Sequence, residues 1–226
     1  MNAAKIPAKS HAMSPAKNPA KNLAKNPDPP FVLCLTGSLG MGKSTAAKFF
    51  AELGVPVHDS DAAVHSLYEG ETAALIEAAF PGSTSGGKVN RGKLAAIVVN
   101  DKAALARLEA IIHPLVTASR ERFLAEAQAQ GAAVAVVDIP LLFETEAQSR
   151  CDAVVVVSAP AADQRRRALD RPGMTEEKFA ALLAKQLPDA EKRRRADFVV
   201  DSSQGFDHTR AQIRDILRNV ATMRRR

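Results

Sequence analysis

The chain has 226 residues, 46% of them hydrophobic and 25% charged, the balance of a soluble globular protein built as one compact domain. Two cysteines, Cys34 and Cys151, are too few for a disulfide scaffold and point to a reducing cytoplasm. No apolar run approaches the roughly 20 residues of a membrane helix, and the absence of Trp argues against a single-strand nucleic-acid binder that stacks bases on aromatic rings.

The formal net charge of +6 belongs to the ends. Residues 1–30 carry five lysines against Asp28 alone, and Arg224 to Arg226 close the chain, so the body is near neutral. A duplex binder needs a basic face on the fold itself, and none is expected. Residues 1–30 repeat Pro-Ala-Lys-Asn with almost no apolar bulk. Such a segment cannot offset its ordering entropy by burial, and it reads as a disordered extension without the apolar stretch of a secretory signal. Residues 222–226 read as a basic tail.

The body, 31–221, alternates strands and helices. Phe31–Leu35 is a continuous apolar run suited to a buried parallel strand. A glycine-rich turn follows, then a helix over Thr45–Leu53 stopped by Gly54. Val55–His58 reads as a second strand. Residues 62–130 are almost wholly helical, interrupted at Pro81-Gly82 and Gly86-Gly87, and form a helical insert over the C-terminal edge of the sheet. Ala132–Val137 and Ala153–Val157 are β-branched central strands. Helices at about 161–171 and 175–186, a short strand at 198–200 and a helix over 205–221 complete the order. The expectation is an α/β fold with a parallel sheet flanked by helices.

Gly37-Ser-Leu-Gly-Met-Gly-Lys43-Ser44 fits G-x-x-x-x-G-K-[ST] between a strand and a helix, the context a phosphate-binding P-loop requires. Glycines let the backbone N–H groups of Leu39, Gly40, Met41 and Gly42 curl toward phosphate oxygens, and the helix N-terminus at Ser44 and Thr45 adds positive potential. Lys43 reaches the β- and γ-phosphates, and the Ser44 hydroxyl can ligate the Mg²⁺ that bridges them. The loop predicts ATP with Mg²⁺ without naming the acceptor.

His58-Asp59-Ser60-Asp61 ends the second strand, at the edge where open α/β sheets bind ligands. A carboxylate here can take the proton of an attacking hydroxyl or hold Mg²⁺ through water. Asp61 is also placed to cap the next helix. Arg167 and Arg171, four apart, would share a helix face and neutralise the transferring phosphoryl group. Lys192–Arg195 reads as a second basic run, solvent-facing or a weaker contributor to nucleotide binding. Asp138 and Glu144 are further acids for the metal, Arg91 can grip an acceptor phosphate, and His113, a helix-terminal histidine before Pro114, can contact substrate. Cys34 reads as a small core residue. No His/Cys/Asp cluster has zinc spacing.

These segments together resemble the dephospho-CoA kinase family. The resemblance rests on Leu35–Thr45, Leu53-Gly54, the Asp59-Ser-Asp61 tip, Arg91 with Leu94, Leu108–Pro114, Asp138-Ile-Pro-Leu-Leu-Phe-Glu144, Gln164 with Arg167 and Arg171, Gln186, and Arg195-Ala-Asp197 through Asp201. It runs from about 31 to 220. It implies a P-loop kinase core, a helical substrate domain at about 62–130 and a small helical lid at about 161–195. It also implies ATP-dependent phosphorylation of the ribose 3′-hydroxyl of dephospho-CoA, the last step to coenzyme A. Asp61 falls at the position proposed as general base, and Asp59 at one that assists substrate or metal. Two residues depart from the family pattern: Ser38 stands where Gly is usual, and Ser202 where Asn is frequent. The rival readings are a nucleoside or nucleotide kinase of similar build, and a nucleotide-dependent switch without acceptor chemistry. The expected partners are small molecules, with no nucleic acid and no membrane, for a monomer or weak homo-oligomer in the cytoplasm.

Overall fold

The computed structural model describes residues 28–69 and 71–223. The readings made on the extension and on the last three arginines lie outside the described residues, except at Asp28, Pro29 and Pro30. The chain runs β1 (Phe31–Thr36), α1 (Lys43–Glu52), β2 (Val57–Asp59), α2 (Ser60–Leu67), α3 (Glu71–Ala79), β3 (Thr84–Ser85), β4 (Lys88–Val89), α4 (Arg91–Val98), α5 (Lys102–Ala129) and β5 (Val134–Asp138). A short 3-10 turn (Ala147–Arg150) leads to β6 (Ala153–Ser158), α6 (Ala161–Leu169), α7 (Glu176–Leu183), α8 (Asp189–Arg195), β7 (Phe198–Asp201) and α9 (Phe206–Met223).

Five strands make one parallel sheet in the order β2-β5-β1-β6-β7. Both faces are covered, which is why β1, β5 and β6 are unbroken apolar runs rather than alternating ones. On one face Leu33, Leu35, Val155 and Val157 pack with Phe49 and Phe50 of α1 and Ile213 and Ile216 of α9. On the other, Cys34, Val137, Val154 and Val156 meet Leu142, Phe143 and the α5 residues Phe123 and Leu124. A third cluster, Ile76, Phe80, Leu94, Val98, Ala104, Leu108 and Ile112, is the insert's own core. The 28-residue α5 belongs to both bodies: its first half closes the insert and its second half lies on the sheet.

Four local expectations change. The Gly86-Gly87 break is the tip of the β3–β4 hairpin, with both glycines at positive φ (60° and 75°), as a two-residue turn of the mirror-image type demands. Pro114 lies inside α5, so His113 is mid-helix rather than helix-terminal. Lys192 is buried instead of solvent-facing: it is fully covered, and its ammonium lies 2.9 Å from Glu144 Oε1. A run of four cations on one helix must aim one residue inward, and the acid of the Pro-Leu-Leu-Phe-Glu segment compensates that charge. Cys34 is more than a core residue, being disulfide-bonded to Cys151 with their Cα atoms 5.7 Å apart. The bond ties β1 to the residue that follows the 3-10 turn, 117 positions away in sequence.

Candidate active site

The strand-to-helix turn after β1 is shaped by two close approaches. A Cβ on Gly37 would stand 2.6 Å from the Val157 carbonyl oxygen, and one on Gly40 would stand 2.5 Å from that of Gln164. Gly40 and Gly42 also sit at φ 80° and 90°, which L side chains rarely adopt. Ser38 has no such constraint. Its φ is ordinary and its carbonyl accepts from Met41 N–H, so the backbone admits a side chain there, at the cost of a hydroxyl buried without a hydrogen-bond partner.

The apex of the loop is held by two lid residues to which sequence reading gave no role. Gln164 Nε2 donates to the Leu39 carbonyl (2.9 Å), and Leu39 N–H donates to Gln186 Oε1 (3.2 Å). The peptide units on either side of Leu39 are thus fixed from α6 and from the segment after α7. Ser202 ties the loop from a third side, donating to the Met41 carbonyl at 2.8 Å.

Inside the loop is a cavity of about 300 Å³ lined by Leu39, Gly40, Gly42, Lys43, Ser44 and Thr45, and facing them Asp61, Arg171 and Gln186. The Met41 side chain points away into the protein, 2% exposed, with Ala159 N–H against its sulfur, so only its backbone serves the loop. Lys43 Nζ lies 2.5 Å from Asp138 Oδ1 at the end of β5. Burial pushes the Asp138 carboxyl above its ordinary value. Lys43 opposes this, and Asp59 and Asp61 add to it.

The helix cap falls to Asp59 rather than to Asp61. Asp59 caps α2, its Oδ1 accepting Ala62 N–H at 2.9 Å, because the strand reaches Asp59 and the helix starts at Ser60. Asp61 lies in the first helical turn and is exposed. It lines the phosphate-loop cavity and also a second cavity of about 590 Å³, between α2, α4 and α5, with Tyr68, Arg91 and Leu94. Asp61 therefore stands where the two spaces meet. Arg91 lies over the Tyr68 ring, 5.5 Å from its centroid. His113 is not brought to this cavity; it lines another on the far side of α2.

The two lid arginines do not share a helix face. α6 ends at Leu169, and Arg171 lies beyond it, ahead of Pro172-Gly173, where it lines the phosphate-loop cavity. Arg167 turns to the other side of the loop. It donates to Ser202 Oγ (2.8 Å) and to the Ser202 carbonyl (2.9 Å), beside a cavity of about 400 Å³ lined by Gly42, Thr45 and Phe206. Glu144 Oε1 is engaged by Lys192 and by Leu187 N–H, while its Oε2 is buried without a hydrogen-bond partner.

The family model for dephospho-CoA kinase matches residues 31–208. The chain belongs to the dephospho-CoA kinase family. A curated dephospho-CoA kinase of Rhodopseudomonas palustris is 60% identical over 195 residues, covering 86% of this chain and 98% of the relative. One of Mesorhizobium japonicum is 62% identical over 186 residues, covering 82% and 94%. Among solved structures, a Thermus thermophilus protein aligns with a TM-score of 0.74 at 31% identity, covering 85% of this chain and 98% of its own. A Campylobacter jejuni dephospho-CoA kinase, 24% identical with a TM-score of 0.59 and covering 84% and 96%, shares the fold. The chain is accordingly a phosphotransferase of the family's activity, ATP-dependent phosphorylation of dephospho-CoA.

Proposed function

We propose that the chain transfers the γ-phosphoryl group of Mg·ATP to the ribose 3′-hydroxyl of dephospho-CoA, giving coenzyme A and ADP, with Asp61 as the general base. The observation that carries this reading is the position of Asp61, which lines both the phosphate-loop cavity and the cavity under the helical insert. An acceptor hydroxyl presented from the insert meets that carboxylate on its way to the γ-phosphate. Asp61 accepts the hydroxyl proton as the oxygen attacks phosphorus in line and the β–γ bridging bond breaks, leaving ADP.

Phosphoryl transfer needs positioning and charge neutralisation more than covalent help. The loop N–H groups hold the phosphates. Lys43, pre-aimed by Asp138, exchanges that carboxylate for phosphate oxygens, and Arg171 covers them from the lid side. The Thr45, Arg167, Ser202 and Phe206 cavity suits the adenine of ATP, with the guanidinium presenting a flat face. Arg91 and the ring of Tyr68 bound the acceptor's adenosine.

The donors fit Mg²⁺. Ser44 offers a hard hydroxyl oxygen on the wall of the phosphate space, and Asp138 a carboxylate behind Lys43. Magnesium, which keeps its waters and relies on substrate phosphates, asks for such a sparse set. When bound it neutralises charge developing on the β- and γ-oxygens. Asp59, occupied in capping α2, keeps one oxygen to act through water. His113 contacts the acceptor from the far side of α2. We assign the enzyme to the cytoplasm, with small molecules as its partners, as a monomer or weak homo-oligomer.

Incubation with Mg·ATP and dephospho-CoA, read by mass spectrometry, gives one added phosphoryl group, and a 3′-deoxyribose analogue gives none. ADP release with a panel of nucleosides exceeding that with dephospho-CoA would favour a nucleoside kinase. ADP release indifferent to any acceptor would favour a nucleotide switch.

A further inference from the structure

On the far side of α2 lies a cavity of about 430 Å³ in which, His113 apart, the reaction so far assigns nothing. Its long wall is α5, and its opposite wall is the segment from Ile139, just after β5, to Arg150. Ser60, the chain neighbour of Asp61, closes the end nearest the active site, and Val64 of α2 lines both this cavity and the one holding Arg91. The two spaces are therefore separated only by the first turns of α2.

The charges in this cavity are unbalanced. Arg120 and Arg150 both line it, and among the described residues neither forms an ion pair. Arg120 is half-buried, and its Nε is fully covered without a hydrogen-bond partner. Burial and the neighbouring Arg150 both hold the Arg120 guanidinium below its ordinary value, against a weaker pull from Glu121. His113 and Glu109 are the other titratable residues in the lining. A like-charged guanidinium pair in a half-apolar recess, one donor left over, is destabilising until an anion arrives.

Dephospho-CoA brings such an anion. Its ribose carries, on the 5′ side, a diphosphate of two negative charges, followed by a pantetheine arm of methyl, methylene and amide groups. Once the 3′-hydroxyl is at Asp61, the diphosphate of the same sugar lies one ring's length away, and Ser60 is the adjacent residue. Lys43 and Arg171 are placed for ATP, and Arg91 lies over Tyr68 in the cavity on the other side of α2, so the cations on the Ser60 side are Arg120 and Arg150.

We propose that Arg120 and Arg150 hold the diphosphate of dephospho-CoA in this cavity, with Ile112, Val116 and Ile139 receiving the start of the pantetheine arm. This rests on the reading of the acceptor given above and names what separates dephospho-CoA from a bare nucleoside. The Arg120 Nε–H and the two terminal nitrogens of Arg150 supply the donors, and each group can bind two oxygens at once.

The test is steady-state kinetics of the full chain and of the Arg120→Gln/Arg150→Gln variant, with each substrate varied against saturating partner. The expected result is a rise of about tenfold to a hundredfold in KM for dephospho-CoA, the loss of one or two charged hydrogen bonds, while KM for ATP moves by less than about threefold. Arg150→Gln alone, at an exposed position where folding is not at risk, moves the acceptor KM in the same direction by about threefold to tenfold. An unchanged acceptor KM in the folded double variant would overturn the proposal, as would parallel rises for both substrates. Absence of dephospho-CoA phosphorylation by the unmodified chain would overturn the functional reading itself, and this assignment with it.

Discussion

Replacing Lys43 with Met removes the ammonium that grips ATP and also uncovers a buried acid. Asp138 is 4% exposed at its side chain, and Lys43 Nζ, at 2.5 Å, is the one cation in its ion pair. Removing one partner of a buried pair costs about 3–5 kcal/mol if the other stays charged. Asp138 has an escape, because burial, Asp59 and Asp61 all raise its pKa and only Lys43 lowers it. Without Lys43 the folded-state pKa climbs further above the ordinary 3.8. A carboxyl raised in the folded state binds more protons there than in the unfolded chain. Its contribution is fully present below the unfolded value and is lost as pH rises toward the folded one, at about 1.4 kcal/mol per pH unit. Lys43→Met should therefore match the wild type most closely in acid and fall behind it as pH rises. Urea unfolding between about pH 5 and pH 8 measures this, and Asp138→Asn added to Lys43→Met should flatten the difference. Parallel stability curves for Lys43→Met and wild type across that range would refute the reasoning.

Two further outcomes follow from local geometry. Gly40→Ala forces a left-handed backbone on a residue whose Cβ would stand 2.5 Å from a carbonyl oxygen. It should cost at least about 1–2 kcal/mol of stability and raise KM for ATP, and thermal unfolding with ATP kinetics checks both. The Cys34–Cys151 bond closes a span of 117 residues, so Cys151→Ala should lower stability toward about 4–5 kcal/mol below the oxidised form. Thiol titration of the unfolded, unreduced protein should find no free thiol, and two would contradict the bond.

How much of this was legible in the sequence follows the range of the forces involved. The phosphate loop is a local object, and its glycines, lysine and serine announce both its geometry and its ligand. The parallel sheet is nearly as plain, since β1, β5 and β6 must be apolar throughout to be covered on both faces. The placement of the α2 cap at Asp59 rather than Asp61 turned on two residues of helix boundary, which spacing alone does not resolve. Arg171 left the expected face because Pro172-Gly173 ended α6 early. Lys192, the cysteine pair and the glutamines at Leu39 depend on contacts between residues tens to more than a hundred positions apart, and only the assembled fold reveals them. The Arg120–Arg150 pair escaped for the same reason: α5 carries one member and the 3-10 turn before β6 the other.

The central claim is that the Asp61 carboxylate takes the acceptor's proton at the junction of the two cavities. Turnover of Asp61→Asn with both substrates saturating addresses it directly, since asparagine keeps the shape and removes the base. The account predicts a kcat lower by about 10²–10⁴. Turnover at the wild-type rate would contradict it.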